Sequence, residues 1–216
     1  MREPASNGFV NASVLESIGL SHEMLRKAIR DTYGLLDQID ATLEIAGVFP
    51  LSQTIELANL SSMIGNIFAS AIAKHSEGLL RRHGPHKYPD LLTNGISPEV
   101  PDIEIKMALE TNKPKGHLAK EGYYLTCRYV LCQPDGSLRI GKEQRGVKPY
   151  IWEIRCGRLR IEHFNLSNTV GDSGKTAVVN AAGMEILQVV YCDLERVPVS
   201  PKGKTYRSYQ QLFQQD

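Results

Sequence analysis

Three residues of this chain, Asp90, Glu104 and Lys106, have the types and spacing needed to bind a divalent cation and hydrolyse a phosphodiester. Asn94-Gly95 and two prolines lie between the two carboxylates and predict a reversal of the chain that brings Asp90 beside Glu104. Two carboxylates that converge on a hard cation can hold Mg²⁺, and a neighbouring lysine can activate water or offset negative charge. The spacing therefore predicts a metal-dependent hydrolytic site.

The segment around Glu104 has the period-two pattern of a half-buried strand. Its apolar positions are Val100, Ile103, Ile105 and Met107. On such a strand Glu104 and Lys106 lie together on the face opposite the apolar side chains. Asp102 would share their face, either as a further ligand or as an outer-sphere partner. The alternative is a surface hairpin on which Glu104 and Lys106 form a solvated pair.

The same residues resemble the motif of the PD-(D/E)XK nuclease superfamily, which includes most type II restriction endonucleases. Pro89-Asp90 matches the PD element, and Glu104-Ile105-Lys106 matches the (D/E)XK element. The resemblance implies an α/β (α+β) fold in which a mixed central sheet is flanked by helices, with a restriction-endonuclease-like core. The corresponding order of elements is helix, hairpin, strand, helix, strand, and the resemblance covers roughly residues 52–195.

The resemblance also implies a role for each residue of the motif. Asp90, Glu104 and the main-chain carbonyl of Ile105 would bind Mg²⁺, and Lys106 would orient or deprotonate the attacking water. In-line attack would leave a 5′-phosphate and a 3′-hydroxyl. Many members of the superfamily carry a further acidic residue on the helix before the motif, and Glu56 is the candidate for that third ligand. The alternative for Glu56 is a solvated helix residue.

The net charge of +1 is distributed unevenly along the chain. Residues 1–60 hold eight acidic and four basic side chains, whereas residues 128–160 hold eight basic and three acidic ones. A second basic run, residues 79–90, leads directly to Asp90. A cleft lined with Lys and Arg attracts a phosphate backbone whatever the whole-protein charge, although each run is also explained by a solvated face. The predicted DNA contacts from these runs are Arg81, Arg82, Lys87, Arg128, Lys142, Arg145 and Lys148.

Two further segments hold candidate DNA contacts. Ser173, Lys175 and Thr176 end the sequence GDSGKT, and a helix N-terminus at this position would bind a DNA phosphate. The alternative is a plain N-cap. A nucleotide-binding loop needs a glycine where this chain has Thr169, so no nucleotide cofactor is expected. His117 would face DNA near the cut, although a loop histidine without that role is favoured.

The composition is typical of a globular protein of the cytoplasm. Hydrophobic residues make up 42% and charged residues 23% of the chain, which excludes a disordered tract as its main component. The first twenty residues lack the apolar segment of a secretory signal, and the longest mostly apolar stretch, around residues 63–73, is too short to span a membrane. The four cysteines show no CxxC spacing, which favours buried reduced thiols over a zinc site.

Hydrophobic periodicity and turn residues predict the order of the helices and strands. Helices are predicted at 21–45 with Ser21 as N-cap, at 52–75, and at 173–182 with Ser173 as N-cap. Strands are predicted at 123–132, 138–141, 150–155, 158–164 and 186–193, with turns at 133–137 and at Cys156-Gly157. The chain then divides into an N-terminal helical region (1–50), a nuclease core (51–197) with an antiparallel insertion at 133–165, and a polar C-terminal tail (198–216).

The sequence thus predicts a Mg²⁺-dependent, site-specific endonuclease of the type II restriction class that acts on double-stranded DNA. The basic, aromatic segment 123–164 is the candidate for reading bases in the major groove. Two other classes remain open: a structure-specific or repair nuclease with the same chemistry, and a non-catalytic DNA-binding module. Cutting both strands at symmetric positions favours a homodimer. The side chains predicted at its interface, which would otherwise pack against their own chain, are Leu35, Leu36, Ile39 and Leu43.

Overall fold

A mixed β-sheet flanked by α-helices forms the centre of the protein. The computed structural model describes residues 2–84, 87–167 and 176–214. The α-helices of these residues are α1 (Ala12–Glu16), α2 (His22–Ile45), α3 (Leu51–Thr54), α4 (Leu57–His75), α5 (Ala181–Ile186) and α6 (Lys204–Gln211). None of these helices is long and apolar enough to cross a lipid bilayer. The strands are β1 (Leu80–Arg82), β2 (Leu91–Thr93), β3 (Ile103–Leu109), β4 (Lys115–Gly116), β5 (Gly122–Cys132), β6 (Lys148–Leu159), β7 (Phe164–Ser167), β8 (Thr176–Val179) and β9 (Gln188–Cys192).

Within the described part of the chain, six strands form the central sheet in the order β1-β2-β3-β5-β6-β9. β3 and β5 are parallel and the other neighbours are antiparallel, so the sheet is mixed. Helix α4 packs against β1 and β3, and α2 packs against α4. Three short strands form a second sheet in the order β4-β8-β7. The prediction of a mixed central sheet flanked by helices is confirmed.

Helix α2 forms where the sequence predicts it. The Ser21 hydroxyl accepts a hydrogen bond from the backbone N–H of Met24 (3.2 Å), and Glu23 places a negative charge in the first turn, where the helix dipole favours it. The buried positions of α2 are spaced one, three or four residues apart on one face. They are Leu25, Ala28, Ile29, Thr32, Tyr33 and Leu36. Beyond Leu36 no side chain of α2 is buried, so its C-terminal part extends past the core.

The helix predicted at 52–75 is two helices, because the backbone is extended at Ile55 and Glu56. Thr54 and Ile55 are β-branched and lose side-chain freedom in a helix. The Thr54 hydroxyl also donates to the carbonyl of Phe49 (2.9 Å), which favours ending α3 there. Glu56 is therefore an exposed residue that precedes α4, and it does not lie on the face of a continuous helix.

Strand β6 runs without interruption through the strand predicted at 150–155, the turn predicted after it and the first two residues of the strand predicted at 158–164. The rest of that predicted strand is interrupted by a 3₁₀ turn (Ile161–His163). The turn predicted at Cys156-Gly157 is wrong, since both residues lie inside β6. A Cβ at Gly157 would lie 3.2 Å from the carbonyl oxygen of Ile186, so this glycine allows close approach of another backbone segment. The strand predicted at 138–141 is also absent from the described structure. Gly141 has φ +126°, a conformation that interrupts a strand, and a 3₁₀ turn follows.

The prediction of a helix at 173–182 is wrong for residues 176–179. These residues form β8, which pairs with β4 and β7, because Thr176 and the two valines favour a strand over a helix. Helix α5 starts after Asn180, whose side-chain oxygen accepts from the backbone N–H of Gly183 (2.9 Å). Ser173, the predicted cap, lies outside the described residues.

The hydrophobic core includes side chains from both ends of the chain. Leu15 and Ile29 from the first fifty residues pack in the same cluster as Ile154 of β6 and Tyr209 of α6. The Tyr209 hydroxyl also donates to the buried carboxylate of Glu153 on β6. Residues 198–216, predicted as a polar tail, therefore contain a helix that packs on the sheet. The boundaries proposed at residues 50 and 197 fall between segments of one continuous core.

Candidate active site

Asp90 and Glu104 are linked by two hydrogen bonds between side chains and backbone. The N–H of Asp90 donates to Glu104 Oε2 (3.2 Å), and the N–H of Ile105 donates to Asp90 Oδ2 (2.9 Å). Antiparallel pairing of β2 with β3, in which Leu91 lies opposite Ile103, brings the two segments together. The chain reversal predicted between residues 90 and 104 is therefore present, and the two carboxylates lie side by side.

Lys106 lies next to Glu104 on the same face of β3. Its Nζ donates to Glu104 Oε1. A Cβ placed at Gly116 of β4 would lie 3.0 Å from Lys106 Cε and 3.4 Å from Nζ, so the β4 backbone covers this side chain closely. A Cβ at Gly65 of α4 would instead approach Met107 to 3.0 Å. The alternation predicted for this strand therefore directs Met107 towards α4, and Glu104 and Lys106 away from it.

The Glu104 side chain is enclosed, since 7% of the residue is exposed. Burial raises the pKa of Glu104 above its ordinary value, the positive charge of Lys106 opposes this shift, and the negative charge of Asp90 adds to it. The alternative in which Glu104 and Lys106 form a solvated surface pair is therefore wrong. Protein covers both sides of β3 at this point, and the carboxylate is held in an environment that disfavours its charge unless a cation is near.

The donor atoms at this site are hard oxygens, which are the ligands that Mg²⁺ prefers. Asp90 and Glu104 supply carboxylates. Because the N–H and C=O of one strand residue point to the same side, and the Ile105 N–H reaches Asp90, the Ile105 carbonyl faces the same edge. Within residues 2–84, 87–167 and 176–214, no three His, Cys, Asp or Glu side chains lie together in a way that could hold a metal ion. The two carboxylates would supply only part of the ligand set of a Mg²⁺ ion, and water and substrate would have to supply the rest.

Two further acidic candidates lie away from the carboxylate pair. Asp102 accepts a hydrogen bond from the backbone N–H of Thr93 (2.8 Å) and closes the β2–β3 connection. Glu56 precedes α4, and ten residues, or about 15 Å of helix rise, separate it from Asn66, the α4 residue that contacts Arg82. The structure does not bring Glu56 or Asp102 into a three-carboxylate cluster with Asp90.

Two tyrosines fasten the connection between β4 and β5 beside the site. The Tyr88 and Tyr124 hydroxyls donate to the carbonyls of residues 121 and 120, both at 2.8 Å. The Lys120 ammonium also lies 3.9 Å from the centre of the Tyr88 ring, in a cation–π contact. These contacts fix the segment that follows the β4 backbone over Lys106. The sequence motif does not include either tyrosine; the one signal it offers is that Tyr88 directly precedes Pro89-Asp90.

Exposed cations lie around the carboxylate pair. Arg81 on β1 and Lys87 in the following loop are exposed, and both were predicted to contact DNA. Lys115 on β4 is also exposed at this end of the sheet. Arg158 near the end of β6 is exposed on the opposite face, because it pairs with Tyr123, which pairs with Ile103. His117 lies in a bend after β4 with its side chain exposed. The surface near the site therefore carries positive charge from β1, from the loop that follows it and from β4.

Arg128 is not part of this surface. It is 9% exposed, its Nη1 lies 3.3 Å from Glu153 Oε2, and its Nη2 faces the sulfur of Met184 at 3.9 Å. The prediction that Arg128 contacts DNA is wrong, because its side chain is buried and its charge is balanced inside the protein.

The other basic residues predicted from residues 128–160 lie at the far end of β5. They are Lys142, Arg145 and Lys148. β5 pairs with Glu104 through Tyr124, whereas Lys148 pairs with Cys132; eight residues, about 26 Å of strand, separate these positions. Arg145 makes two hydrogen bonds to Glu110 (2.6 and 3.0 Å), and with Lys142 it lines a cavity of about 210 Å³. These residues lie away from the carboxylates.

The remaining predicted contacts come from residues 173–176. Ser173 and Lys175 lie outside the described residues. Thr176 begins β8, so the helix N-terminus expected at this position is not there. The prediction that Thr176 binds a DNA phosphate at a helix N-terminus is therefore wrong.

No protein-family model matches this chain, and no curated protein matches it. The likeness to the nuclease superfamily therefore depends on Pro89-Asp90, Glu104-Ile105-Lys106 and the contacts that bring them together.

Proposed function

We propose that this protein is a Mg²⁺-dependent DNA endonuclease of the PD-(D/E)XK type, with Asp90, Glu104 and Lys106 as its catalytic residues. The observation that carries the proposal is the pair of hydrogen bonds that hold the Asp90 and Glu104 carboxylates side by side, with the Lys106 ammonium against Glu104. Two neighbouring carboxylates repel each other, and burial makes this repulsion more costly to the folded protein. Titratable groups in such unfavourable surroundings are concentrated at functional sites.

Each side chain of the site has a separate chemical task in this proposal. Bound Mg²⁺ would supply Lewis-acid polarisation of the scissile phosphate and a more acidic water. Asp90 and Glu104 would hold the cation through their carboxylates, with the Ile105 carbonyl as a further donor. Lys106 would orient the attacking water and stabilise the negative charge that develops on the phosphate. The products would carry a 5′-phosphate and a 3′-hydroxyl.

Double-stranded DNA is the substrate that fits the charges. Arg81, Lys87 and Lys115 lie near the carboxylates, where they would bind phosphates on either side of the cut. Lys148, which pairs with Cys132, lies about 26 Å further along the sheet, which is less than the roughly 34 Å of one helical turn of B-DNA. One duplex would therefore contact both groups, and contacts far from the cut are what a site-specific enzyme of the restriction type needs.

A homodimer would cut both strands, and the exposed C-terminal part of α2 is its proposed interface. Leu35 (43% exposed), Ile45 (89%) and Phe49 (74%) present apolar side chains to solvent there. A shallow surface depression lined by Gln38, Ile39, Thr42 and Leu43 lies on the same helix. No Lys or Arg occurs between Arg30 and Lys74, so this acidic and apolar surface is unsuited to DNA and suited to protein.

Leu36 does not belong to that interface. It is buried in a cluster with Leu60 and Ile64, so packing against its own chain explains it. Leu35, Ile39 and Leu43 remain candidates for the dimer.

The cytoplasm is the compartment in which we place this activity. All four cysteines are buried and unpaired, which fits a reducing environment. The proposed chemistry uses no nucleotide cofactor, since water is the attacking group.

Incubation of the protein with supercoiled plasmid DNA and Mg²⁺, or with EDTA, tests the proposed function. The Glu104→Ala variant, prepared in the same way, controls for contaminating nucleases. Discrete fragments that need both Mg²⁺ and Glu104 support a site-specific endonuclease. Selective cutting of branched or damaged DNA would instead indicate a structure-specific or repair nuclease. Binding without cleavage under all conditions would indicate a non-catalytic DNA-binding module.

A further inference from the structure

Arg82 contacts the site from β1, and its neighbour Arg81 does not. Leu80 is buried, Arg81 is exposed and Arg82 is half-buried, as expected for side chains that alternate along a strand. Arg82 Nη1 lies 3.9 Å from Asp90 Oδ1. Arg82 Nη2 donates to the side-chain oxygen of Asn66 on α4 (3.0 Å). The guanidinium therefore bridges α4 and Asp90.

The Nη1 atom of Arg82 is enclosed by protein and donates to no protein acceptor within the described residues. Buried donors without an acceptor are uncommon, and an unpaired one calls for an explanation. The carboxylate oxygen that it faces is Asp90 Oδ1. A shift of about 1 Å would bring these two atoms to hydrogen-bond distance. The other oxygen, Asp90 Oδ2, already accepts from the Ile105 N–H.

We propose that Arg82 is a positioning residue that orients Asp90 for metal binding, and that Asn66 holds Arg82 in place. This inference rests on the proposed function, since it assigns a role in the same site. Asp90 and Glu104 repel each other, and each has one cation beside it: Lys106 contacts Glu104, and Arg82 faces Asp90. Helix α4, which contains no acidic residue, contributes to the site through the Asn66 amide, which holds Arg82 of β1.

Arg81 and Arg82 were predicted together as anchors for the DNA backbone, and the structure separates them. Arg81 is exposed and suits that task. The terminal nitrogens of Arg82 face Asn66 and Asp90. Arg82 would therefore influence cleavage by holding Asp90 in position. Arg81→Ala is therefore the matched control for Arg82→Ala, because the two residues are adjacent, have the same charge and lie on the same strand.

The test compares Arg82→Ala, Asn66→Ala and the double variant with Arg81→Ala. Arg82→Ala is expected to raise the Mg²⁺ concentration needed for half-maximal cleavage, or to lower kcat, by about 10–100-fold, as is usual when the group that orients a metal ligand is lost. Asn66→Ala should act in the same direction and more weakly. Because Asn66 acts through Arg82, the double variant should match Arg82→Ala alone. Arg82→Lys should restore little, since an ammonium cannot reach both partners as a guanidinium does.

A second readout avoids DNA and cleavage altogether. Mn²⁺ binding to the free protein, measured by electron paramagnetic resonance, should weaken in Arg82→Ala and stay unchanged in Arg81→Ala. Melting temperatures identify any variant that is unfolded. For that case Arg82→Gln, which loses the charge and keeps a donor for Asn66, is expected to show the same loss of Mn²⁺ affinity in a folded protein.

Two results would overturn the inference. One is that Arg82→Ala binds Mn²⁺ and turns over like the wild type and loses only DNA affinity, as Arg81→Ala does. The other is that the effects of Arg82→Ala and Asn66→Ala simply add in the double variant. Failure of the proposed function looks different: the wild type would not cut DNA, and Mn²⁺ binding would still report whether Arg82 orients Asp90.

Discussion

The backbone N–H of Asp90 donates a hydrogen bond to Glu104 Oε2, so one metal-ligand candidate is held by the backbone of the other. The Ile105 N–H returns a hydrogen bond to Asp90 Oδ2. The two segments are fourteen residues apart in sequence, and these bonds fix them across the β2–β3 pair. The carboxylates are thus oriented by main-chain donors whose positions follow from the β2–β3 pairing.

Alanine at Asp90, Glu104 or Lys106 is expected to abolish cleavage while the protein stays folded. Lys106→Ala should lower the single-turnover rate by about 10²–10⁴-fold, the usual contribution of a proton-transfer group. Alanine at either carboxylate removes a ligand and relieves repulsion with the phosphate, so DNA binding in EDTA should be unchanged or tighter. Rates on a labelled duplex and circular dichroism of each variant provide the measurements. Cutting by Glu104→Ala at a near wild-type rate would show that the motif is assigned wrongly.

Gly116→Ala is expected to reduce activity without reducing stability. The new Cβ would lie 3.0 Å from Lys106 Cε and 3.4 Å from Nζ, and the flexible lysine would move aside at little cost in folding free energy. Movement of Nζ by a few tenths of an ångström or more disturbs the position of the water that it orients, and such misplacement is expected to cost about 10-fold or more in rate. The melting temperature and the single-turnover rate are the two quantities to compare.

Gly34→Ala is the control for Gly116→Ala. Gly34 lies within α2, and a Cβ there would meet nothing within 4 Å. It should raise the free energy of unfolding by up to about 1 kcal/mol, because alanine is the better helix former, and leave cleavage unchanged. Equal activity of the two variants would contradict the proposed restraint on Lys106.

Glu153→Ala is expected to destabilise the protein strongly. The Glu153 carboxylate is buried on β6 between Arg128 and Arg155, and Tyr209 donates to it from α6. Its removal leaves two guanidinium groups without a counter-charge, and breaking such a buried pair costs about 3–5 kcal/mol. Tyr209→Phe removes two hydrogen bonds with charged groups, one donated to Glu153 and one accepted from Arg155, and should cost at least about 1.5–3 kcal/mol.

Urea denaturation measures both changes in the free energy of unfolding. Arg158→Ala, at an exposed position of the same strand, serves as the control and should have little effect. A loss below about 1 kcal/mol for Glu153→Ala would mean that the charges of this cluster are solvated and do not hold α6 on the sheet.

Phe49→Glu and Ile45→Glu are expected to shift the protein from dimer to monomer. Both side chains are exposed at the end of α2, where a second copy would cover them. A charge buried in such an interface would be unpaired and therefore unfavourable. Ile96→Glu is the matched control, because Ile96 is an isoleucine that is 67% exposed in the β2–β3 connection. Sedimentation velocity with and without DNA gives the association state, and a wild-type monomer under both conditions would contradict the dimer.

The parts of the fold that were predictable from sequence depend on local signals. Ser21 followed by apolar residues at helical spacing marks the start of α2, and the alternation around Glu104 marks β3. The proximity of Asp90 to Glu104 was predictable because Asn94-Gly95 and the prolines between them favour a reversal of the chain. In each case the residues that carry the information lie within about twenty positions of one another.

The features that were missed depend on residues distant in sequence. Arg128 was counted with the surface cations because its partner Glu153 is 25 residues away and lies on another strand. Local sequence predicts a turn at Gly157 because its close neighbour, the carbonyl of Ile186, is placed by a later segment of the chain. Arg82 was grouped with Arg81 by charge, although the two side chains point to opposite sides of β1. Tertiary contacts override local propensity at all three positions.

The hydrogen bonds between the first residues of the chain and β9 protect one edge of the central sheet. The N–H of Val10 donates to the carbonyl of Val190, and the N–H of Cys192 donates to that of Gly8. At the opposite edge β1 is three residues long and carries two arginines. An uncovered, apolar edge strand would invite another chain to pair with it and form aggregates, and a short charged edge does not. Residues 8–10 thus shield the apolar strand Gln188–Cys192, and their loss would convert a closed edge into a template for intermolecular β-pairing.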